Sequence, residues 1–480
     1  MKEIPAHVST IAHTLIENGY EAYLVGGSVR DVLADREPKD WDLTTNATPE
    51  IVQELFPDSV YQNEFGTVGV KYRPSEEETE LVEVTTYRSE EAYEDARRPK
   101  HVSFVASVTE DLARRDFTIN AIALHPNGSL VDPFDGYADL ERGLIRTVNE
   151  PEDRFREDAL RLLRAIRFAC QLDFSIAEHT WDAIQRNADN LSHISAERIQ
   201  EEFNKLLLSD TPVRGMRLLE EAGLLTYIMP ELREGIECGQ NKHHIYTVWE
   251  HNIRSLQYAA DQNWDLTIRM AALLHDVAKP RTKAGEGYHC TFHGHEVEGA
   301  SLSYEMLSRL AYSKKFRAKV SKLVRYHMFY YDVGEVTESS VRRLVRKVGQ
   351  DNIADLIKLR QCDRIGSGTP KARPYRLRHF EYMTERVMQQ PLSVSMLAVD
   401  GTELIEHLNL TPGPIVGALQ NALLVSVLEN PEHNTREYLL NRAQELKDRD
   451  PDELKRATDE ILDAKEEERS TELKQKYYLT

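Results

Sequence analysis

A change of rhythm near residue 145 constrains the fold of this chain more than any other feature. Before it, strand-like and helix-like segments mix; after it, apolar residues recur at helical spacing and strand signals nearly vanish. The early part holds strand-like runs at Glu21–Val25, Glu64–Tyr72, Glu80–Tyr87 and Lys100–Phe104. Val8, Ile11, Leu15 and Ile16 fall on one face of an amphipathic helix rather than in a signal peptide. The pattern predicts an α/β head followed by an all-helical remainder. A chain of 480 residues exceeds one ordinary domain. Four pieces are expected: a head over 1–145, a helical neck over 146–235, a histidine-dense module over 236–375, and a helical body and tail over 376–480. In the last, Leu408–Pro414 reads as a turn between helices and Glu445–Lys476 as a solvated helix or frayed tail.

Composition narrows the function classes. No apolar run is long enough to span a bilayer, and four widely separated cysteines read as reduced packing thiols, so a cytoplasmic protein with no membrane partner is expected. A net charge of −20 argues against indiscriminate coating of nucleic acid, although local patches and not the sum decide steering. The basic clusters Arg97–Lys100, Arg114-Arg115, Arg342 to Lys347 and Lys371 to Arg378 each read individually as solvated faces.

The chemistry concentrates in the head. Glu21–Val25 reads as a strand and Val29–Ala34 as a helix start, which puts Gly26 and Gly27 where backbone can approach a phosphate closely. Shortly downstream stands Asp40-Trp41-Asp42. Residues two apart on a strand share one side of the sheet. Two carboxylates aimed at one spot call for a cation between them, and hard oxygen ligands favour Mg²⁺ shared with substrate phosphates. The combination points to metal-assisted phosphoryl or nucleotidyl transfer.

The runs Leu24-Val25-Gly26-Gly27-Ser28-Val29-Arg30-Asp31, Asp40-Trp41-Asp42, Arg114-Arg115-Asp116-Phe117-Thr118-Ile119-Asn120-Ala121 and Arg156-Glu157-Asp158-Ala159-Leu160-Arg161 together resemble the ordered motifs of class II tRNA nucleotidyltransferases. That family adds CCA to tRNA 3′ ends, includes bacterial poly(A) polymerases, and has a DNA polymerase β-like head. The resemblance covers about the first 235 residues. It implies that Asp40 and Asp42 hold two Mg²⁺ ions, that Gly27, Arg30 and Arg115 contact the triphosphate, and that tRNA, CTP and ATP are the partners. Glu83 either supplements the acidic pair or is an ordinary strand-face acid. Asp116 and Asn120 order the loop or sugar pocket, and Arg164 and Arg167 hold the base or phosphates.

Arg156–Phe168 reads as one helix, with Leu160, Leu163 and Phe168 toward a core and Asp158 and Arg161 neighbours on its surface. A carboxylate beside a guanidinium presents an acceptor next to donors. Cytosine and adenine both offer an amino donor beside a ring-nitrogen acceptor, whereas guanine and uracil carry the opposite pattern. The resemblance gives Asp158 and Arg161 this template role; without it, the pair is an ordinary intrahelical ion pair. The edge does not separate C from A. Tyr87–Pro99 resembles the family's flexible loop, here of full length, which disfavours a CC-only enzyme and leaves full CCA addition and A-only addition both open.

Histidines recur from 243 to 327 (His243, His244, His251, His275, His289, His293, His295, His327), and an apolar helix ends in His275-Asp276. With His251, His295, His327 and Asp363, the doublet resembles the HD phosphohydrolase superfamily. The resemblance makes His251, His275, Asp276 and Asp363 core ligands of an unidentified divalent transition metal, with His295 and His327 as candidates for a second and His289 and His293 less favoured. Two readings stand: phosphoester hydrolysis, or a module retained for packing or tRNA support. A protein whose main chemistry is HD hydrolysis, its head only binding tRNA, is the rival from another class.

Overall fold

The computed structural model describes residues 3–63, 66–72, 79–94, 98–241, 245–388 and 394–479. The chain divides into two compact units, Met1–His327 with Lys358–Pro370, and Met328–Ile357 with Lys371–Thr480.

The first unit opens with helix α1 (Ala6–Glu17), strand β1 (Ala22–Val25), helix α2 (Gly27–Leu33) and strand β2 (Asp42–Thr45). Strands β3 (Ser59–Asn63), β4 (Thr67–Tyr72), β5 (Glu80–Thr86), β6 (Arg88–Glu94), β7 (Arg98–Phe104), β8 (Ala123–Leu124) and β9 (Leu130–Val131) follow. Seven of the nine form one sheet in the order β3-β4-β5-β2-β1-β8-β9. Strand β1 runs antiparallel to β2 and β8, whereas β2 and β5 are parallel, with Asp42 opposite Glu83. Period-2 alternation gives β1 two cores. Leu24 joins α1 residues such as Ile11 and Leu15 on one face, and Val25 joins Tyr87, Leu112 and Val148 on the other.

The expected strands are present, and β3, β8 and β9 add to them. Tyr87–Pro99 departs from the flexible loop expected of it. Strands β6 and β7 pair as an antiparallel hairpin, Arg88 opposite Phe104 through Glu94 opposite Arg98. Cross-strand pairing satisfies the backbone of a polar segment without apolar periodicity, so a hydrophobic pattern gives no warning of it. Residues 95–97 of that segment, including Arg97 of the basic cluster, lie outside the described residues.

The helical run 156–168 is not one helix. Helix α3 (Pro151–Glu157) ends at Asp158, whose backbone is extended (φ −145°, ψ 102°), and α4 (Leu160–Leu172) begins afresh. The Asp158 carboxylate accepts the Leu160 N–H at 3.1 Å. A short acceptor side chain that caps the next helix competes with continuation of the last one. Helix α5 (Ala196–Leu207) packs against α4.

Beyond the neck come α6 (Val248–Asp261), α7 (Leu266–Leu274), α8 (His295–Arg309) and α9 (Lys314–Tyr326). Asp265 caps α7 by accepting the Thr267 and Ile268 N–H groups, and α7 is buried from Ile268 to Leu274. Buried along this length, α7 is a core helix whose one cation, Arg269, donates to the Leu207 and Ser209 carbonyls, and it carries His275 at its end.

The second unit is helical among its described residues. Leu404, Leu419, Leu423, Leu439 and Ala443 form its core. Residues 451–476 make a single 26-residue helix, capped by Asp450 and anchored by Leu454 and Leu473. No helix among the described residues is long and apolar enough to cross a membrane.

Candidate nucleotidyl-transfer and metal sites

The end of β1 and the start of β2 build the head site. Gly26 stands between β1 and α2 at φ +73°, a conformation that strains any residue with a Cβ. A Cβ there would lie 3.1 Å from Arg115 Nη1 and 3.4 Å from Asp42 Oδ2. This turn is therefore threaded between a cation and a carboxylate. Asp42 opens β2, and Glu83 faces it across the parallel pair while donating its N–H to the Trp41 carbonyl at 3.2 Å. Asp40 is exposed and lies in the bend before β2, so the pair does not stand on one strand as expected; Pro38, which has no N–H, delays the start of pairing.

Electrostatics nonetheless tie the acids together. Burial and Glu83 push Asp42 up to about 6, with Asp40 adding to the rise and Arg115 opposing it. Clustered carboxylates that raise each other's proton affinity are a donor set suited to a hard divalent cation. Asp42 and Glu83, with Asp40 beside them, are the candidates to hold Mg²⁺ here, but their oxygens do not converge as the ligand atoms of the second site do.

A cavity of about 520 Å³ lies beside this site, and Gly27, Arg30, Asp42, Arg115, Asp158, Arg161, Arg164 and Arg167 all line it. Eight residues expected to act on a nucleotide thus meet at one place. Arg30 Nη1 donates to Asn120 Oδ1 at 2.9 Å, Asn120 Nδ2 to Asp116 Oδ1 at 3.1 Å, and Arg164 Nη2 to Asp116 Oδ2 at 2.5 Å. Burial works against the Asp116 charge, but Arg164 outweighs it and holds the carboxyl well below its ordinary range. Asp116 and Asn120 therefore order two arginines. Arg114 and Arg115 are not a solvated face: both pair with the buried Asp111 and line the cavity.

Asp158 and Arg161 share the cavity but not a salt bridge. Asp158 Oδ2 accepts from Arg198 at 2.7 Å, while Arg161 Nη1 donates to Glu157 Oε2 at 2.6 Å and its Nη2 to the Arg114 carbonyl at 2.9 Å. The helix break at Asp158 separates what an unbroken helix would have paired. Arg198 and Glu202, both on α5, carried no local signal in the sequence. Glu202 is buried and accepts from Arg167 Nε at 2.5 Å, and Arg198 lines the cavity some 40 residues from its partner.

The second site gathers six side chains in two adjoining groups, His251, His275 and Asp363, and Asp276, His295 and His327. Asp276 touches both: its Oδ2 lies 3.1 Å from His251 Nε2, and its Oδ1 3.3 Å from His295 Nε2 and 3.5 Å from His327 Nε2. His275, His295 and His327 place Nδ1 within 2.9 Å of the carbonyls of Ala272, Phe292 and Val324. A carbonyl only accepts, so each Nδ1 carries a proton and Nε2 is the ring atom turned inward. The Nε2 atoms of His251 and His275 are 2.8 Å apart, and those of His295 and His327 3.4 Å. Two ring nitrogens this close hold a proton or a cation between them. Both Asp276 oxygens are buried without a well-directed hydrogen bond, although Lys279 Nζ approaches one at 2.6 Å. Burial presses His275 down to about 3, which keeps it a neutral ligand. Imidazole and carboxylate donors in this arrangement fit divalent transition metals. His289 and His293 are exposed and outside both groups; each sits in a turn whose side chains point to solvent. His243 and His244 lie outside the described residues.

Comparison with known proteins agrees with this layout. Residues 22–146 match the poly A polymerase head domain, 173–236 the probable RNA and SrmB-binding site of polymerase A, and 248–368 the HD domain. A CCA-adding enzyme of Geobacillus sp. (strain WCH70) is 48% identical over 240 residues, 49% of this chain and 57% of that protein. One from Lactobacillus helveticus (strain DPC 4571) is 51% identical over 197 residues, 41% of this chain and 48% of that protein. The matched segments thus span about half the length of these curated relatives. Among solved structures, the Bacillus stearothermophilus CCA-adding enzyme in complex with CTP superposes with a TM-score of 0.59 at 29% identity, over 93% of this chain and 98% of that one. The Thermotoga maritima CCA-adding enzyme complexed with tRNA shares the fold, with a TM-score of 0.53 at 19% identity, over 92% of this chain and 96% of that one. With a head, an RNA-binding segment and an HD domain matched in this order, the chain resembles the tRNA nucleotidyltransferase/poly(A) polymerase family.

Proposed function

We propose that the protein adds C, C and A to tRNA 3′ ends from CTP and ATP, using its own side chains as the template. The observation that carries this reading is the junction of the acidic group at Asp42 with an arginine-lined cavity that also holds Asp158 and Arg161. Bound Mg²⁺ at Asp40, Asp42 and Glu83 would supply Lewis-acid activation of the 3′-hydroxyl and charge neutralisation of the triphosphate. The protein supplies the rest. Gly26 and Gly27 leave room for phosphate, and Arg30 and Arg115 bind it. Asp116 and Asn120 keep Arg30 and Arg164 in place, and Arg167 is fixed by Glu202. Asp158 keeps an acceptor edge steadied by Arg198 and presents it to the base amino group, while Arg161 reaches the ring nitrogen by giving up its Glu157 contact. Guanine and uracil leave these groups unpaired, which discriminates by on the order of 10⁴-fold.

The four pieces proposed for the chain are a nucleotidyltransferase head (1–145), a neck with the base-selecting segment (146–235), an HD domain (236–375) and a body with tail (376–480). Incubation with tRNA transcripts ending before CCA, after C and after CC, each NTP in turn, followed by sequencing of the products, tests the reading. Growth by C, C and A in order supports it. Growth only from the CC end gives A-only addition, and no growth refutes nucleotidyl transfer.

A second activity rests on the six-ligand group. His251, His275, Asp276, His295, His327 and Asp363 would hold one or two divalent transition metals, which would supply Lewis-acid chemistry for hydrolysis of a phosphoester such as a 2′,3′-cyclic end. Metal analysis of the purified protein beside phosphodiesterase assays decides it: no retained metal and no hydrolysis leaves the domain a packing module.

A further inference from the structure

Helix α9 carries six bases in 13 residues (Lys314, Lys315, Arg317, Lys319, Lys322 and Arg325) and no acid, in a chain of net charge −20. Its inner face is apolar: Val320, Leu323 and Val324 are buried. At 3.6 residues per turn, Lys314, Lys315, Lys322 and Arg325 fall on the opposite side, around the small Ala318. Lys314 and Lys315 are exposed and occupy the first turn, where the helix dipole disfavours cations. The neighbouring α8 instead starts with Glu296 and Glu298. Folding alone gives no reason for cations in that first turn. Around the stripe, Glu296 of α8 lies 3.6 Å from Arg325, and Arg317 turns aside to the Ser308 hydroxyl and the Tyr304 ring. No carboxylate pairs with Lys314, Lys315 or Lys322 among the described residues. Over these 13 residues the stripe is about 20 Å long, and it ends at the ligand His327.

We propose that the outer face of α9 docks the phosphate backbone of tRNA. The choice of tRNA as the polyanion rests on the function proposed above. Uncompensated lysines spaced along one helix face bind a row of phosphates through charge and counterion release, with no need to read a base. The three unpaired lysines are the residues to test.

The test uses the full chain with Lys314→Gln, Lys315→Gln and Lys322→Gln combined. A control combines Lys455→Gln, Lys465→Gln and Lys474→Gln in the terminal helix, removing the same charge. Fluorescence anisotropy with a tRNA transcript lacking CCA is read from 50 to 200 mM KCl, and circular dichroism checks folding. The α9 variant should bind about tenfold more weakly at 0.1 M salt, with a log–log salt slope shallower by about 2 to 3. Its KM for tRNA should rise while kcat for CTP incorporation at saturating tRNA holds, and the control should match the wild type. Unchanged affinity and slope in the α9 variant overturn the proposal. So does an equal loss in the control, which would mean diffuse charge alone. If the wild type fails to incorporate CTP while the α9 variant still loses tRNA affinity, the docking face stands and only the nucleotidyl-transfer reading falls.

Discussion

Asp42 should make the metal-free head less stable than it would be without that charge, and Asp42→Asn should reveal by how much. Burial first, then Glu83, lift its pKa from the ordinary 3.8 to about 6. The folded state therefore holds the proton more tightly than the unfolded chain does. Stability from this group is fully present below about pH 4 and is lost as the pH rises through about 6. The rise corresponds to about 3 kcal/mol, on the order of a hundredfold in the opening equilibrium. Asparagine keeps the size and removes the charge.

The measurement is hydrogen exchange of the β1, β2 and β5 amides in EDTA, expressed as protection factors, because a chain of several units has no single unfolding free energy. At pH 7.5 the variant should be more protected, by up to about a hundredfold. The advantage should shrink as the pH falls from 6 to 4. Saturating Mg²⁺ should narrow it at pH 7.5 by stabilising the wild type selectively. Equal or weaker protection in the variant at pH 7.5, or an advantage independent of pH, would refute the account of Asp42 as a strained member of an acidic group.

Asp116→Asn acts in the opposite sense, because Arg164 holds the Asp116 carboxyl low against burial. That stability is present above about pH 4 and lost only as the pH falls through the lowered folded value. Since about a third of the Arg164 side chain is exposed, about 2 kcal/mol should be lost at pH 7, read as a fall in the protection of head amides that vanishes in acid. Gly26→Ala should cost about 1 to 2 kcal/mol of head stability from its positive φ alone, and it should lower CTP incorporation by displacing Arg115. An active, equally stable variant would show that the turn has slack. Asp276→Asn should abolish retention of divalent metal by the HD domain, measured by mass spectrometry of the dialysed protein, while CTP incorporation persists; a variant that keeps its full metal content would remove Asp276 from the ligand set.

Much of the head was legible because its signals are local. A strand, two glycines and a helix start within a dozen residues define the turn beside the cavity, and Asp42 follows at the start of the next strand. What could not be read depends on partners distant in sequence or on single capping contacts. Asp158 looks like a residue within a helix because Ala159 and Leu160 are good helix formers, yet one hydrogen bond to the Leu160 N–H ends α3 and starts α4. Arg198 meets Asp158 only after α5 has packed on α4, and no periodicity predicts that contact. The hairpin β6–β7 escaped for another reason: its pairing is carried by the backbone.

The two sites also show why ligand sets differ in legibility. In the HD domain each of three histidines is oriented by the carbonyl three residues before it, so the chain around each ligand does the aiming. A spacing pattern then suffices to find the group. In the head, the proposed base edge depends on which of several ion pairs wins. Asp158 has Arg198 in place of Arg161, and Arg161 has Glu157. The Glu157 and Arg198 side chains remain 20% and 31% exposed, so the acid of one pair and the base of the other can still exchange partners, while the buried Arg161 stays held by the Arg154 and Arg114 carbonyls. Under the proposed function, a site that takes C twice and then A would gain from exchangeable pairs, because each partner swap changes pocket shape. If so, Glu157→Gln should free Arg161 and change the ratio of CTP to ATP use without relaxing rejection of GTP. Competition between nucleotides on a CC-ended transcript reads that ratio directly, and an unchanged ratio would mean that the Glu157–Arg161 pair is structural and the C-to-A switch lies elsewhere.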